Sequence, residues 1–240
     1  MDWQSDFKNL ITNDLDIQLS SVQLDQFVFF YEELIRVNQQ INLTTIIEPD
    51  QVMIKHFYDS LTINRCMQMN TVKSMVDIGT GAGFPGLPLK IAFPSIKVIL
   101  LDSLRKRVKF VQNVIQQLGL TNIDVIHVRA EDAAHQVAYR QKFDLAVARA
   151  VAKTDILVEC ALPFLKIGGS FVAFKGAVVE DELDTAQQIL HLLGGTIPEV
   201  TAISLPQEAG QRHLVRIGKR KDTPKNYPRE IGVIKRSAKI

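Results

Sequence analysis

The sequence predicts an α/β protein with a mostly parallel sheet and a helical cap ahead of it. Three observations carry this. From Val72 onward, short apolar runs alternate with amphipathic stretches of helical period, the pattern of strands joined by crossover helices. The apolar runs lack a polar alternation, as strands covered on both faces do. One run, Met75-Val76-Asp77-Ile78, breaks into the glycine-rich stretch Gly79-Thr80-Gly81-Ala82-Gly83-Phe84-Pro85-Gly86, and Leu87-Pro88-Leu89-Lys90-Ile91 then starts a helix. A strand, tight turn and helix of that kind bring backbone close to a nucleotide-like ligand.

The elements follow in order. Residues 1–70 read as a helical cap: Leu24, Phe27, Phe30, Leu34 and Val37 form an apolar stripe at spacings of three and four, the mark of an amphipathic helix. The polar stretch Asn38 to Thr44 ends it. Glu48-Pro49-Asp50 opens a second helix, with proline where a missing N–H is tolerated, and Val52, Phe57, Leu61 and Ile63 face inward. Residues 71–219 form the sheet domain. Its strand candidates are 74–78, 97–101, 123–127, 143–148 and 170–174, separated by helices over 87–92, 106–118, 133–138 and 155–165. Gly119 and Gly168-Gly169 stand where helices stop. A helix over 181–193 closes at Gly194-Gly195, and 199–205 with 213–219 complete seven strands as an antiparallel pair. Residues 220–240 are a basic tail.

Composition bounds the rest. A chain of 240 residues with 46% hydrophobic residues has material for a full core. No apolar run reaches membrane-span length, and the start Met1-Asp2-Trp3-Gln4-Ser5-Asp6 lacks the features of a signal peptide. Cys66 and Cys160 lie far apart and fit a reducing compartment as small core hydrophobes. A cytoplasmic protein, acting as a monomer without metal, is expected. The net charge of +2 hides an asymmetry: from residue 211 onward ten Lys/Arg face two acids, a surplus of eight, so the remainder carries a deficit of six. A basic end on an acidic body points to a polyanion.

The glycine turn fits two ligand classes. From Gly81 it satisfies the dinucleotide pattern G-x-G-x-x-G; from Asp77 it reads D-x-G-x-G-x-G. A pyrophosphate is held by free N–H groups at the helix start, and Pro85 and Pro88 remove two of them. An adenosyl ligand without a phosphate, such as S-adenosylmethionine, loses nothing by this. Gly79, Gly81 and Gly83 let backbone approach it, and Asp77 holds either the turn or the amino-acid end. Asp102, ending the next strand, suits a ribose diol. Glu131 beside Ala130, after the third strand, suits an adenine edge, and Arg149 ends the fourth strand beside the same crevice.

Together these motifs resemble the bacterial 16S rRNA (guanine-N7)-methyltransferase family, also called the glucose-inhibited division protein B family. The resemblance rests on the glycine turn, on Leu101-Asp102-Ser103 with Lys106-Arg107, on Arg129-Ala130-Glu131-Asp132 and on Ala148-Arg149-Ala150-Val151-Ala152. Asn42-Leu43-Thr44, the stretch Lys55-His56-Phe57-Tyr58-Asp59-Ser60-Leu61 and Phe174-Lys175-Gly176 match it too. The end departs from it: Gly232-Val233-Ile234-Lys235-Arg236-Ser237-Ala238 replaces a Pro-containing, Lys-rich finish. The resemblance implies a class I, Rossmann-like methyltransferase fold, S-adenosylmethionine as cofactor, and N7 of a guanine in 16S ribosomal RNA, free or in the small subunit, as target. It implies cofactor contacts at Gly79, Phe84, Ala130, Glu131 and Arg149.

The chemistry agrees. Guanine N7 carries a free lone pair, so methyl transfer needs alignment rather than a base, and no catalytic His–carboxylate pair stands at the strand ends. After the fourth strand there is no [N/D]-P-P-[Y/F] element for an exocyclic amine, and Cys160 lies mid-helix. Arg149 is a candidate for orienting guanine through O6. His56 and Asp59 share a helical face and either pack or lean over the site. Lys175, Arg212, Lys219, Arg220, Lys221, Lys225 and Arg229 are expected to meet RNA phosphates. Two other readings are an NAD-dependent oxidoreductase and an RNA-binding protein with an inactive methyltransferase fold.

Overall fold

A computed structural model describes residues 3–149, 153–176 and 180–237. Its seven strands are β1 (Ser74–Ile78), β2 (Lys97–Asp102), β3 (Ile123–His127), β4 (Phe143–Arg149), β5 (Leu165–Lys175), β6 (Glu199–Ser204) and β7 (Gln211–Gly218). They lie in the order β3-β2-β1-β4-β5-β7-β6. β1 to β5 are parallel, and β7 runs antiparallel between β5 and β6. The order reverses at β1 and β4, so a crevice opens at their carboxyl ends, where open α/β sheets bind ligands.

Among the described residues ten α-helical segments surround the sheet: α1 (Trp3–Leu15), α2 (Ser21–Asn38), α3 (Pro49–Val52), α4 (Asp59–Leu61), α5 (Gly86–Ala92), α6 (Arg105–Gln117), α7 (Ala130–Ala133), α8 (Thr154–Ala161), α9 (Glu180–Leu193) and α10 (Ile231–Ser237). Between α3 and α4 the helix widens into a π-turn, Met53–Tyr58. Alternate strand residues feed two cores. Met75, Val98, Leu100, Leu145 and Val172 pack with the cap helices, α5 and α6. Val76, Ile99, Leu101, Ala146, Phe171 and Ala173 pack with α8 and α9.

The cap is continuous with the first of these cores. Ser20 caps α2 reciprocally with Gln23, and Phe27, Phe30 and Leu34 are buried along its inner stripe. Ring contacts run from Phe7 to Phe27 (5.0 Å), Phe27 to Phe57 (5.1 Å), Phe57 to Phe30 (5.5 Å) and Phe30 to Phe84 in the glycine turn (5.1 Å). An apolar staircase therefore joins the first helix to the ligand turn.

Four expectations change. The helix placed at 133–138 is the single turn α7 directly after β3, where Glu131 and Asp132 favour its positive end. The helix placed at 155–165 stops at Ala161, and β5 begins at Leu165 rather than Ser170. Gly168-Gly169 sits inside β5 beside a register shift against β4, a bulge rather than a helix stop. The segment after β7 is no free tail. Arg140 donates to the carbonyls of Thr223, Pro224 and Tyr227 at 2.7–3.0 Å, and buried Glu159 accepts from Arg229 at 2.7–2.9 Å.

Candidate active site

β1 ends under the glycine turn, and the turn is held from below. Asp77, fully buried, accepts on Oδ2 from Thr80 Oγ1 at 2.7 Å and from Gly86 N at 2.9 Å. Burial pushes its carboxyl up to about 7. It lies beneath the turn and not on the cleft wall, so of the two roles expected it serves the turn. Gly86 is glycine because a Cβ there would collide with Leu100 and stand 2.7 Å from Asp77 Oδ2. Gly83 is pressed against Leu87 in the same way and also faces away from the cleft. Gly81 sits at φ +61°, and its N–H donates to Asp102 Oδ2 at 2.9 Å.

The first turn of α5 offers no anion cradle. Gly86 N donates to Asp77, Leu87 N to Gly83 O and Leu89 N to Pro85 O, while Pro88 has no N–H. This removes the basis of a pyrophosphate site and, with it, of the oxidoreductase reading.

A cleft of about 720 Å³ opens above the turn. Its floor is Gly79, Thr80, Gly81 and Ala82; one end is Asp102, Ser103, Leu104 and Arg107; the other is His56, Asp59, Phe84, Arg149, Phe174 and Arg212. A smaller cavity of about 170 Å³ adjoins it at Gly79, Asp102 and Ser103, walled by Ile78, Leu101, Val128, Leu157, Cys160 and Ile231, with Ala130 and Glu131 at its edge. A small, mostly apolar cavity, a carboxylate at the junction and a larger cleft carrying Asp59, Arg149 and Arg212 match an adenine, a ribose and an amino-acid end in that order. The donor set therefore fits S-adenosylmethionine. Asp102 is 4% exposed and already accepts from Gly81 N and, at 2.8 Å, from Leu104 N. Glu131 accepts from Arg129 Nε at 2.6 Å.

The far end is built by the cap. Arg149 reaches from β4 to Asp59 Oδ2 (3.1 Å), the carbonyls of Lys55 and His56 (3.4 and 3.3 Å) and Ser60 Oγ (3.3 Å). Its guanidinium lies 4.9 Å from the Phe84 ring centre, and the His56 ring stacks on Phe84 at 4.5 Å. His56 Nε2 pairs with Thr44 Oγ1 at 2.8 Å. Burial first, then the charge of Arg149, pushes the imidazole down to about 3, so His56 is neutral. The π-turn supplies Lys55 and His56 here, and three residues after His56 the start of α4 delivers Asp59.

The residues expected to meet RNA are scattered. Lys175 and Arg212 stand on the cleft wall. Arg220, Lys221 and Lys225 are exposed, but β7 runs away from the cleft, putting Arg220 roughly 25 Å along it from Arg212 at strand rise. Lys219 is buried, its Nζ donating to Leu193 O at 2.8 Å and to Thr223 Oγ1, with desolvation bringing it down to about 8. It is withdrawn from the phosphate-binding set, as is Arg229, which is bound by Glu159. Charge counting sees basic residues but not which of them a fold consumes. Conversely, the motifs contain Lys55, Ser103, Lys106 and Arg107 without giving them a role, yet Lys55, Ser103 and Arg107 stand on the wall and Arg105 and Lys106 are exposed beside them. The signal was present: α6 follows β2, so its basic first turn had to fall at the ligand edge.

Comparison with known proteins closes the question of kinship. The family model described as rRNA small subunit methyltransferase G matches residues 23–215. Ribosomal RNA small subunit methyltransferase G of Brevibacillus brevis is 48% identical over 90% of this chain and 91% of its own, and that of Leuconostoc citreum 47% over 92% of each. Among solved structures, the O-methyltransferase from Bacillus cereus in complex with SAH has a TM-score of 0.59 at 16% identity, covering 88% of this chain and 96% of its own. A SAM-dependent O-methyltransferase from Thermotoga maritima gives 0.54 at 17%, covering 80% and 72%. The structural likeness establishes a class I methyltransferase fold, and on the sequence match the chain belongs to the rRNA small subunit methyltransferase G family.

Proposed function

We propose that this protein transfers the methyl group of S-adenosylmethionine to N7 of a guanine in 16S ribosomal RNA. The observation that carries the reading is the two-part cavity at the β1–β4 switch point, closed to phosphate at α5 and shaped for an adenosyl group, in a chain of this family. Gly79, Gly81, Phe84, Asp102, Ala130, Glu131 and Arg149 are its cofactor contacts; Asp77 and Gly83 support them through the turn. The cofactor supplies an activated methyl on a sulfonium. The chain's own residues align it: Asp102 takes the ribose hydroxyls, Glu131 and Ala130 bound the adenine, and the Phe84–His56–Arg149 stack fixes the amino-acid end. Neutral, hydrogen-bonded His56 takes no proton, in keeping with a nucleophile that has none to lose.

RNA approaches over a rim of cations. Lys55, Arg107, Lys175 and Arg212 line the cleft, and Arg105 and Lys106 extend it outward. The deep major groove of A-form RNA hides N7, so the target guanine is presented from a loop or turned out of its stack. The protein acts as a monomer in this reading, and a ribosomal RNA substrate supports a cytoplasmic site of action. Mass mapping of 16S rRNA from cells with and without the gene tests the proposal. Loss of one 7-methylguanosine is expected; an unchanged methylation pattern would reject it in favour of an inactive RNA-binding protein.

A further inference from the structure

The cleft contains a buried carboxylate oxygen that accepts no hydrogen bond. Asp59 is 2% exposed and lies on the cleft wall. Its Oδ2 accepts from Arg149 Nη1 at 3.1 Å, whereas its Oδ1 is shielded from water and accepts no hydrogen bond. Arg212 Nε forms an ion pair with Oδ1 at 3.5 Å, too far to donate well, and its side chain is partly exposed. Buried carboxylate oxygens are seldom left unpaired, because each carries the full desolvation penalty. Arg149 beside it is also held loosely, every contact being 3.1 Å or longer.

A buried guanidinium and a buried carboxylate side by side in a cleft complement one chemistry in particular, an α-amino acid with carboxylate and ammonium on adjacent atoms. Asp77 has an unpaired oxygen as well, but it lies under the turn and off the wall. Resting on the reading that the cleft takes S-adenosylmethionine, we infer that Asp59 Oδ1 is the acceptor for the α-ammonium of the cofactor's amino-acid end. Arg149 takes the carboxylate, so the cap contributes half of a zwitterion site whose other half is on the sheet. Asp59 is thus a cofactor-binding residue supplied from outside the glycine turn and the strand ends.

Calorimetry on the full chain with two ligands tests this. S-adenosylhomocysteine carries the amino-acid end, whereas 5′-methylthioadenosine lacks it. Asp59→Asn is expected to weaken the first about 10- to 100-fold, the range for a charge-assisted hydrogen bond, and to leave the second within twofold. Retained methylthioadenosine binding also shows that the variant is folded. If it does not fold, wild-type protein answers alone: the des-amino analogue of S-adenosylhomocysteine is expected to bind at least tenfold more weakly than the parent. Equal loss of both ligands in Asp59→Asn, or a des-amino analogue that binds like its parent, overturns the inference. Unchanged S-adenosylhomocysteine affinity with a raised KM for RNA overturns it too, assigning Asp59 to the base. Wild type that binds neither ligand rejects the cofactor reading itself and this inference with it.

Discussion

Asp77 acts on the cleft without touching it. Its carboxyl is raised to about 7, mainly because burial disfavours the charge. Between pH ~4 and ~7 the folded chain therefore keeps a proton that the unfolded chain releases, and this group's contribution to stability falls as pH rises through that window. Asp77→Asn, which cannot ionise, is expected to escape that fall. The difference in melting temperature, wild type minus variant, should shrink from pH 4 to 7 in thermal scans; a difference that widens refutes the assignment. Gly86→Ala is expected to lower stability and to weaken S-adenosylhomocysteine together, since the new methyl presses on Leu100 and on the carboxylate that holds the turn. At this scale the residue types of the turn were legible and their division of labour was not. A seven-letter pattern gives Asp77 and Gly83 equal standing with Gly79 and Gly81, and the overlapping six-letter one does the same for Gly86. Only packing separates the residues that hold the turn from those that face the ligand.

Two elements carry the functional edge. The basic first turn of α6 faces the cleft rim, and its charges are expected to contribute to RNA affinity without sequence preference. Replacing Lys106 by alanine should weaken RNA binding and reduce the slope of log Kd against log salt by about 0.7–0.9; an unchanged slope would place the RNA elsewhere. The segment after β7 behaves differently from a solvated basic tail. Its cations are partly consumed, by Glu159 at Arg229 and by the pocket around Lys219, and α10 brings Ile231 to the small cavity. Glu159→Ala is expected to destabilise the fold by about 3 kcal/mol, as for a broken buried ion pair, measured by urea unfolding. Deleting residues from 230 onward should weaken S-adenosylhomocysteine and 5′-methylthioadenosine alike, since both use the adenine end. Loss of RNA affinity alone would restore the free-tail view. The strands and their order of use could be read from apolar runs and glycines. The bulge in β5 could not, because Gly168-Gly169 spells a helix stop and a bulge with the same letters.

Across the whole molecule, cap and sheet share one interior. Phe57 sits between Phe7, Phe27, Phe30 and Phe84, so damage to the cap should be felt at the ligand turn. Phe57→Ala is expected to cost about 4 kcal/mol, a fall of roughly 10 °C in melting temperature for a chain of this size, and to weaken cofactor binding as Phe84 and His56 lose support. A stable variant with normal affinity would show the cap to be a separable appendage. The division at residue 70 was drawn where helical period gives way to apolar runs, a boundary in local pattern. Tertiary packing ignores it, because the aromatic stripe of α2 meets Phe7 and Phe57 of the cap on one side and Phe84 of the glycine turn and Phe110 of α6 on the other. The site was legible where motifs end strands and only half legible where the cap completes it: the sequence leaves His56 and Asp59 either packing or leaning over the site, but nothing local to Asp59 names Arg149 on β4 as its partner.

Ile231 has a consequence in time. The other walls of the small cavity are laid down by Cys160 or earlier in the chain, whereas Ile231 comes after the two last strands. During synthesis every motif of the cofactor site has emerged before the pocket has its final side. A nascent chain is thus recognisable as this enzyme well before it is able to hold its methyl donor tightly.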